Sequence, residues 1–207
     1  MLPKIEAVPL KQIMDNLFTV FQPLCQQQQK TLHTSSIDCQ LGVWADPQLL
    51  NRILTNLLSN ALKYTPTGGK ISISVKTEAS KVKIIVSDTG IGISPKEQKK
   101  LFTSFFRASN AISSGTPGIG LGLLQAKRFA ALLKGDIKVS SVVNQGSEFT
   151  LILNRVIVTN SAISVTTPVM ERSVTTESTM PCDPDKDTLL IVEDNDELRL
   201  YMRRIFE

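Results

Sequence analysis

The stretch Thr55–Tyr64, TNLLSNALKY, carries two kinds of residue within one helical period. Leu57, Leu58, Ala61 and Leu62 are spaced to bury one face, while Asn56, Asn60, Lys63 and Tyr64, three and four apart, share another. Buried amides cost free energy unless something bonds them, so a polar stripe on an apolar rod requires a polar partner. Two glycine clusters offer more of the same chemistry. VSDTGIGI places Asp88 at the end of an apolar run, followed by Gly90 and Gly92, and GIGLGL places Gly118, Gly120 and Gly122 directly ahead of a helical pattern. Glycines at alternate positions let backbone N–H groups approach an anion closely, and a helix N-terminus adds a favourable dipole. Neither cluster reads G-x-G-x-x-G, and G-x-x-x-x-G-K-[ST] occurs nowhere, so Rossmann and P-loop phosphate sites fail on spacing. Taken together and in this order, the stripe and the two clusters converge on a nucleotide.

The elements that must position these residues follow from periodicity and punctuation. Leu10, Ile13, Leu17, Val20, Phe21 and Leu24 predict a helix within Pro9–Gln29, with Pro23 kinking or repositioning its end. An extended piece around Lys30–Ile37 and a strand at Leu41–Trp44 come next. Asp46-Pro47 is a helix start, aspartate as N-cap and proline at the first helical position, for the helix that carries the stripe and stops at Thr65–Gly69. KISISVK alternates as a half-buried strand, and VKIIVSD is its hairpin partner after a turn near Glu78–Lys81. A helix over Leu123–Leu133 and two strands, DIKVSSVV and SEFTLIL with a turn at Asn144–Gly146, complete the core. The predicted fold is α+β: a two-layer α/β sandwich with a mostly antiparallel sheet covered on one face by helices.

Composition narrows the function classes. With 207 residues and 42% hydrophobic content the chain can bury one substantial core. The net charge of +4 is a mild lysine excess, and the Lys99–Lys100 and Lys127–Arg128 pairs are isolated, which argues against a nucleic-acid partner. Cys25, Cys39 and Cys182 form neither a CxxC pair nor a disulfide framework, consistent with a reducing compartment. No apolar run approaches the ~18 residues of a membrane span and Met1 opens no secretory signal, so the expected location is cytoplasmic.

Four of these motifs resemble those of a known family. Asn56–Tyr64, Asp88–Ile93, LFTSFFR at Leu101–Arg107 and Gly118–Leu123 are similar, in order, to the N, first glycine, F and second glycine boxes of histidine-kinase catalytic domains, members of the Bergerat-fold (GHKL) ATPases. The resemblance covers roughly Leu10 to Asn154. It implies ATP and Mg²⁺ as cofactors, with Asn60 giving its amide oxygen to the metal, Lys63 and Tyr64 facing phosphate and nucleoside, and Asp88 accepting the exocyclic N–H of adenine. It extends the nucleotide site to Asn56, Gly90, Gly92, Ile93 and Phe102, and to Gly118, Gly120, Leu121, Gly122 and Leu123. Asn56, Lys63 and Arg107 are the residues it implies for catalysis, Arg107 reaching the γ-phosphate. ASNAISSGTP, after Arg107, has the small, polar make-up of a mobile lid whose start Phe102, Phe105 and Phe106 would tether.

Gyrase-type and chaperone-type relatives carry a water-activating glutamate four residues before the metal asparagine; here that position is Asn56, and an amide cannot accept the proton. The resemblance therefore implies phosphoryl transfer to a histidine rather than fast ATP turnover. Ser104 stands where many relatives have arginine, and Leu133-Lys134 replaces a common histidine-glycine or histidine-histidine. The one histidine, His33, lies in a polar extended stretch without the acidic neighbour of a phosphoacceptor, so this chain is not expected to autophosphorylate.

Domain boundaries follow: 1–9 as the remnant of a connection to an acceptor hairpin, 10–155 as the ATP-binding domain, 156–187 as a Ser/Thr/Pro-rich linker and 188–207 as the start of a further domain. In that last piece LLIVEDNDELR resembles the first strand and helix of a response-regulator receiver, with Glu193 and Asp194 where receivers bind Mg²⁺. The combination implies a hybrid sensor kinase of two-component signalling. Its partners would be a histidine-bearing dimerisation domain and the receiver, in a membrane-anchored bacterial homodimer.

Overall fold

A computed structural model describes residues 3–103, 106, 108–113 and 120–158. The elements are β1 (Glu6–Pro9), α1 (Leu10–Gln27), β2 (Thr31–Thr34), β3 (Leu41–Ala45), α2 (Pro47–Tyr64), β4 (Lys70–Thr77), β5 (Lys81–Asp88), the short α3 (Pro95–Gln98) and α4 (Ser109–Ser113), α5 (Gly122–Leu132), β6 (Asp136–Val142) and β7 (Gly146–Ile157). The strands form one sheet in the order β1-β3-β7-β5-β4-β2, with β6 also paired to β7. All pairings are antiparallel except β2 with β4. The sheet and its helical layer match the α+β sandwich expected from the sequence.

β7 organises the sheet. It pairs with β5 from Ser147 to Asn154, and its other edge is shared, β6 taking Gly146–Ile152 and β3 taking Arg155–Ile157. Alternation along the strands sends Ile71, Ile73, Val82, Ile84, Val86, Phe149, Leu151 and Leu153 into one core with α1, α2 and α5. Leu50, Ile53, Leu54 and Leu57 of α2 have no exposed surface, and each such side chain is worth about 1.5–3 kcal/mol of burial.

The start of α2 is built as the Asp46-Pro47 pair predicts. Asp46 Oδ1 accepts the backbone N–H of Gln48 at 2.9 Å and of Leu49 at 3.1 Å, while Oδ2 accepts that of Lys4 at 2.9 Å. At the other end Thr65 donates both its N–H (3.1 Å) and its hydroxyl (2.6 Å) to the Ala61 carbonyl, and Pro66 prevents continuation.

Two local features add detail to the sequence reading. Residues 6–9, assigned above to a connection, form β1 and join the sheet against β3 in the register Glu6↔Ala45 to Pro9↔Gly42. A four-residue strand with a distant partner leaves no periodic signature, and Pro9 is tolerated because β1 is an edge. The helix that follows starts at Leu10 and runs as one element through Pro23 to Gln27. Val156 and Ile157, assigned above to the linker, end β7 against β3. Residues 159–187 of the linker and the receiver assignment fall outside the described residues, as do Ser104, Phe105, Arg107 and Gly118.

Candidate functional site

The stripe of α2, the loop after β5, the segment around α4 and the start of α5 enclose a cavity of about 520 Å³. Asn56, Asn60, Lys63 and Tyr64 form its α2 wall; Asp88, Ile91, Gly92 and Ile93 another; Gly120, Leu121, Gly122 and Leu123 a third. Phe106, Asn110, Gln125, Ser147 and Phe149 complete much of the lining. Gly90 and Phe102, expected in the site, are not among the lining residues. Gly90 lies behind Asp88, donating its N–H to Oδ1 at 2.8 Å. Phe102 packs on the core with the Lys127 ammonium 5.0 Å from its ring centre. His33 is exposed on β2.

The spacing of the second cluster has a direct cause at Gly122. Asn56 Nδ2 donates to the Gly122 carbonyl at 3.0 Å, and a Cβ on Gly122 would overlap Asn56 Oδ1. The stripe therefore fixes where α5 begins. In the first cluster Gly92 has φ +64, a left-handed backbone, and a Cβ there would overlap the Val142 carbonyl.

Among the described residues Asp88 is the one carboxylate in the cavity wall. It accepts the backbone N–H of Gly90 at 2.8 Å, with the Ser147 N–H close by, which leaves lone pairs to spare. Burial pushes its carboxyl above the ordinary aspartate range, and the two N–H donors pull it part of the way back. A partly desolvated acceptor beside Ile93 and Phe149 suits a flat, amine-bearing ring. Asn60 makes no hydrogen bond to any described residue, and the Lys63 ammonium sits 5.3 Å from the centre of the Tyr64 ring. Among the described residues there is no group of three or more His, Cys, Asp or Glu side chains that could hold a metal. The single neutral amide of Asn60 is a weak ligand for Mg²⁺, so the donor set fits a metal that brings phosphate oxygens with it.

Sequence reasoning missed the supports. Ile93 donates its N–H to Ser141 Oγ at 2.8 Å, Gln98 Nε2 bonds the carbonyls of both Ile93 and Ser141 at 2.8 Å, and Asn144 N–H reaches the Ile91 carbonyl at 2.9 Å. The β6–β7 hairpin thus holds the glycine loop. Glu97 fastens α4: Oε1 accepts the Ser109 N–H and hydroxyl, each at 2.7 Å, and Oε2 the Ser94 hydroxyl at 2.6 Å. Those bonds, the Ser109 N–H foremost, hold its carboxyl down at about 2. Ser94 and Glu97 stand at the S-x-x-E spacing of a helix start, a signal the sequence reading did not use. The ties of Glu97 to Ser109, of Ile93 and Gln98 to Ser141, and of Asn144 to Ile91 join residues far apart in the chain and leave no spacing signature.

Comparison with known proteins agrees with the geometry. The family described as histidine kinase-, DNA gyrase B- and HSP90-like ATPases matches residues 45–157. The sensor-like histidine kinase SenX3 of Mycobacterium tuberculosis is 45% identical over 113 residues, 55% of this chain. The chain spans only 28% of that relative's length. Among solved structures, the catalytic domain of histidine kinase ThkA superposes with a TM-score of 0.64 at 23% identity, covering 73% of this chain and 97% of that domain. Full-length ShkA in complex with AMPPNP gives 0.64 at 22%, covering 76% of this chain and 32% of that one. With a family match across more than half its length and a nucleotide-sized cavity where the motifs meet, this chain belongs to the histidine kinase-, gyrase B- and HSP90-like ATPases and carries the ATP-binding domain of the sensor histidine kinase kind.

Proposed function

We propose that the cavity binds Mg-ATP and that the domain passes the γ-phosphoryl group to a histidine on a separate acceptor domain. The observation that carries this reading is the convergence of Asn56, Asn60, Lys63, Asp88 and Gly120–Leu123 on one cavity. In it, Asp88 accepts the amino group of adenine, a hydrogen bond worth about 1.5–3 kcal/mol with a charged partner. Guanine presents a carbonyl at the same place, so ATP is preferred over GTP. The free amide of Asn60 and the phosphate chain together hold Mg²⁺, which when bound neutralises charge developing on the phosphates. Lys63 and the backbone at the start of α5 face that chain, and Arg107 stabilises the γ-phosphoryl in flight. The bound AMPPNP of ShkA, a neighbour in fold, supports an adenine nucleotide as ligand.

Asn56 favours transfer over hydrolysis. Its Nδ2 is already committed to the Gly122 carbonyl, and an amide offers no base to activate water. The acceptor histidine attacks the γ-phosphorus, the bond to the β,γ-bridging oxygen breaks, and ADP leaves. We place the domain in a hybrid sensor kinase, a membrane-anchored cytoplasmic-facing homodimer, with LLIVEDNDELR opening the receiver. The test is to supply γ-labelled ATP and a separately produced acceptor hairpin of the same full-length protein. Acid-labile label on the hairpin histidine is the expected result. Binding without transfer overturns the kinase reading, and rapid phosphate release abolished by Asn56→Ala points to an ATPase instead.

A further inference from the structure

The first residues of α4 are fastened twice, to α3 and to the first glycine loop. Glu97 holds Ser109 by its N–H and hydroxyl. Asn110, next along, donates Nδ2 to the Gly92 carbonyl at 2.7 Å and, at 3.3 Å, to that of Ile91. With two carbonyls on the nitrogen, the orientation of the amide is settled, since an oxygen there would meet two acceptors. Its other end is not satisfied. Asn110 Oδ1 is buried without a hydrogen-bond partner among the described residues, although Asn110 lines the cavity. A buried acceptor is costly until a donor meets it. ATP has few donors to offer: the triphosphate is all acceptor, leaving the adenine amino group and the two ribose hydroxyls.

We propose that Asn110 is a nucleotide-contacting residue, its Oδ1 accepting a hydrogen bond from the adenosine half of ATP while its Nδ2 keeps α4 on the first glycine loop. The inference rests on the reading of the cavity as an adenine-nucleotide site. A neutral amide is required for both tasks at once, because aspartate would set a second oxygen against the Gly92 carbonyl. Nucleotide binding and the seating of α4 are thereby coupled through one side chain.

The experiment is a double-mutant cycle between protein and ligand. Wild type and Asn110→Ala are titrated with ATP, 2′-deoxy-ATP, 3′-deoxy-ATP and N6-methyl-ATP. In wild type the analogue lacking the bonded donor binds about 2- to 12-fold more weakly than ATP, the range expected for one hydrogen bond. In Asn110→Ala, ATP itself loses that much and the same analogue loses nothing further, a non-additivity that identifies the donor. Equal penalties in both proteins for every analogue, or unchanged ATP affinity in Asn110→Ala, overturn the proposal. Should Asn110→Ala lack a cooperative melt, Asn110→Ser is carried through the same cycle. Asp88→Asn separates the two levels. If ATP binds and Asp88→Asn weakens it while Asn110 substitutions change nothing, only this inference falls; if wild type binds no ATP, both fall.

Discussion

Replacing Asp88 by asparagine removes one charge from the cavity and little else. The carboxylate's bond to adenine is worth about 1.5–3 kcal/mol, so the dissociation constant for Mg-ATP should rise about 10- to 140-fold at pH 7.5. The fold should survive the change. Asparagine keeps an oxygen for the Gly90 N–H and sheds the cost of a half-buried charge. The pH dependence checks the same atom. Asp88 is raised above its ordinary 3.8, so its contribution to folding is fully present below 3.8 and is lost as pH rises through the raised value. Nucleotide binding runs the other way: it needs the carboxylate and weakens as pH falls through that value. Calorimetric titration of wild type and Asp88→Asn from pH 8 down toward 3.8, with apo melting curves alongside, reads both effects wherever the protein stays folded. An Asp88→Asn protein that melts normally and binds ATP with unchanged affinity refutes the assignment of Asp88 to the base.

Leu54→Ala, at a position with no exposed surface, should cost about 2–5 kcal/mol in urea denaturation, with nucleotide affinity retained where the variant is folded. Asp46→Ala deletes the cap of α2 and its tie to Lys4, and should cost about 0.5–2 kcal/mol by the same measurement. Glu97, held at about 2 against an ordinary 4.5, contributes stability that is present above 4.5 and lost as pH falls toward 2. Glu97→Gln should therefore flatten the acid limb of the stability curve, seen in denaturation midpoints between pH 2 and 5.

What was legible in the sequence was whatever a short window encodes. The α2 stripe, its Asp46-Pro47 start and its stop before Pro66 are periodicity and capping, and the structure has them in place. The two glycine clusters were legible as close-approach backbone, although what they approach was not: Val142 behind Gly92 and Asn56 beside Gly122 come from elements 50 and 66 residues away, by the difference of their numbers. Phe102 belongs to a motif that pointed to the site, yet its ring packs against the core and is not among the cavity's lining residues. Asn110 was legible only as part of the lid segment ASNAISSGTP, because its role is set by a pair of carbonyls brought in by another element. β1 was invisible for the same reason, four residues whose one strand partner among the described residues is β3.

The central claim is that Asn60, through a metal, and the glycine-rich backbone hold one triphosphate in this cavity. Its most direct test is an equilibrium titration of ATP with and without Mg²⁺ into wild type and Asn60→Ala. The account predicts one saturable site per chain, tightened by Mg²⁺ in wild type, with that tightening lost in Asn60→Ala. Absence of binding in wild type, or the same Mg²⁺ effect in both proteins, contradicts it.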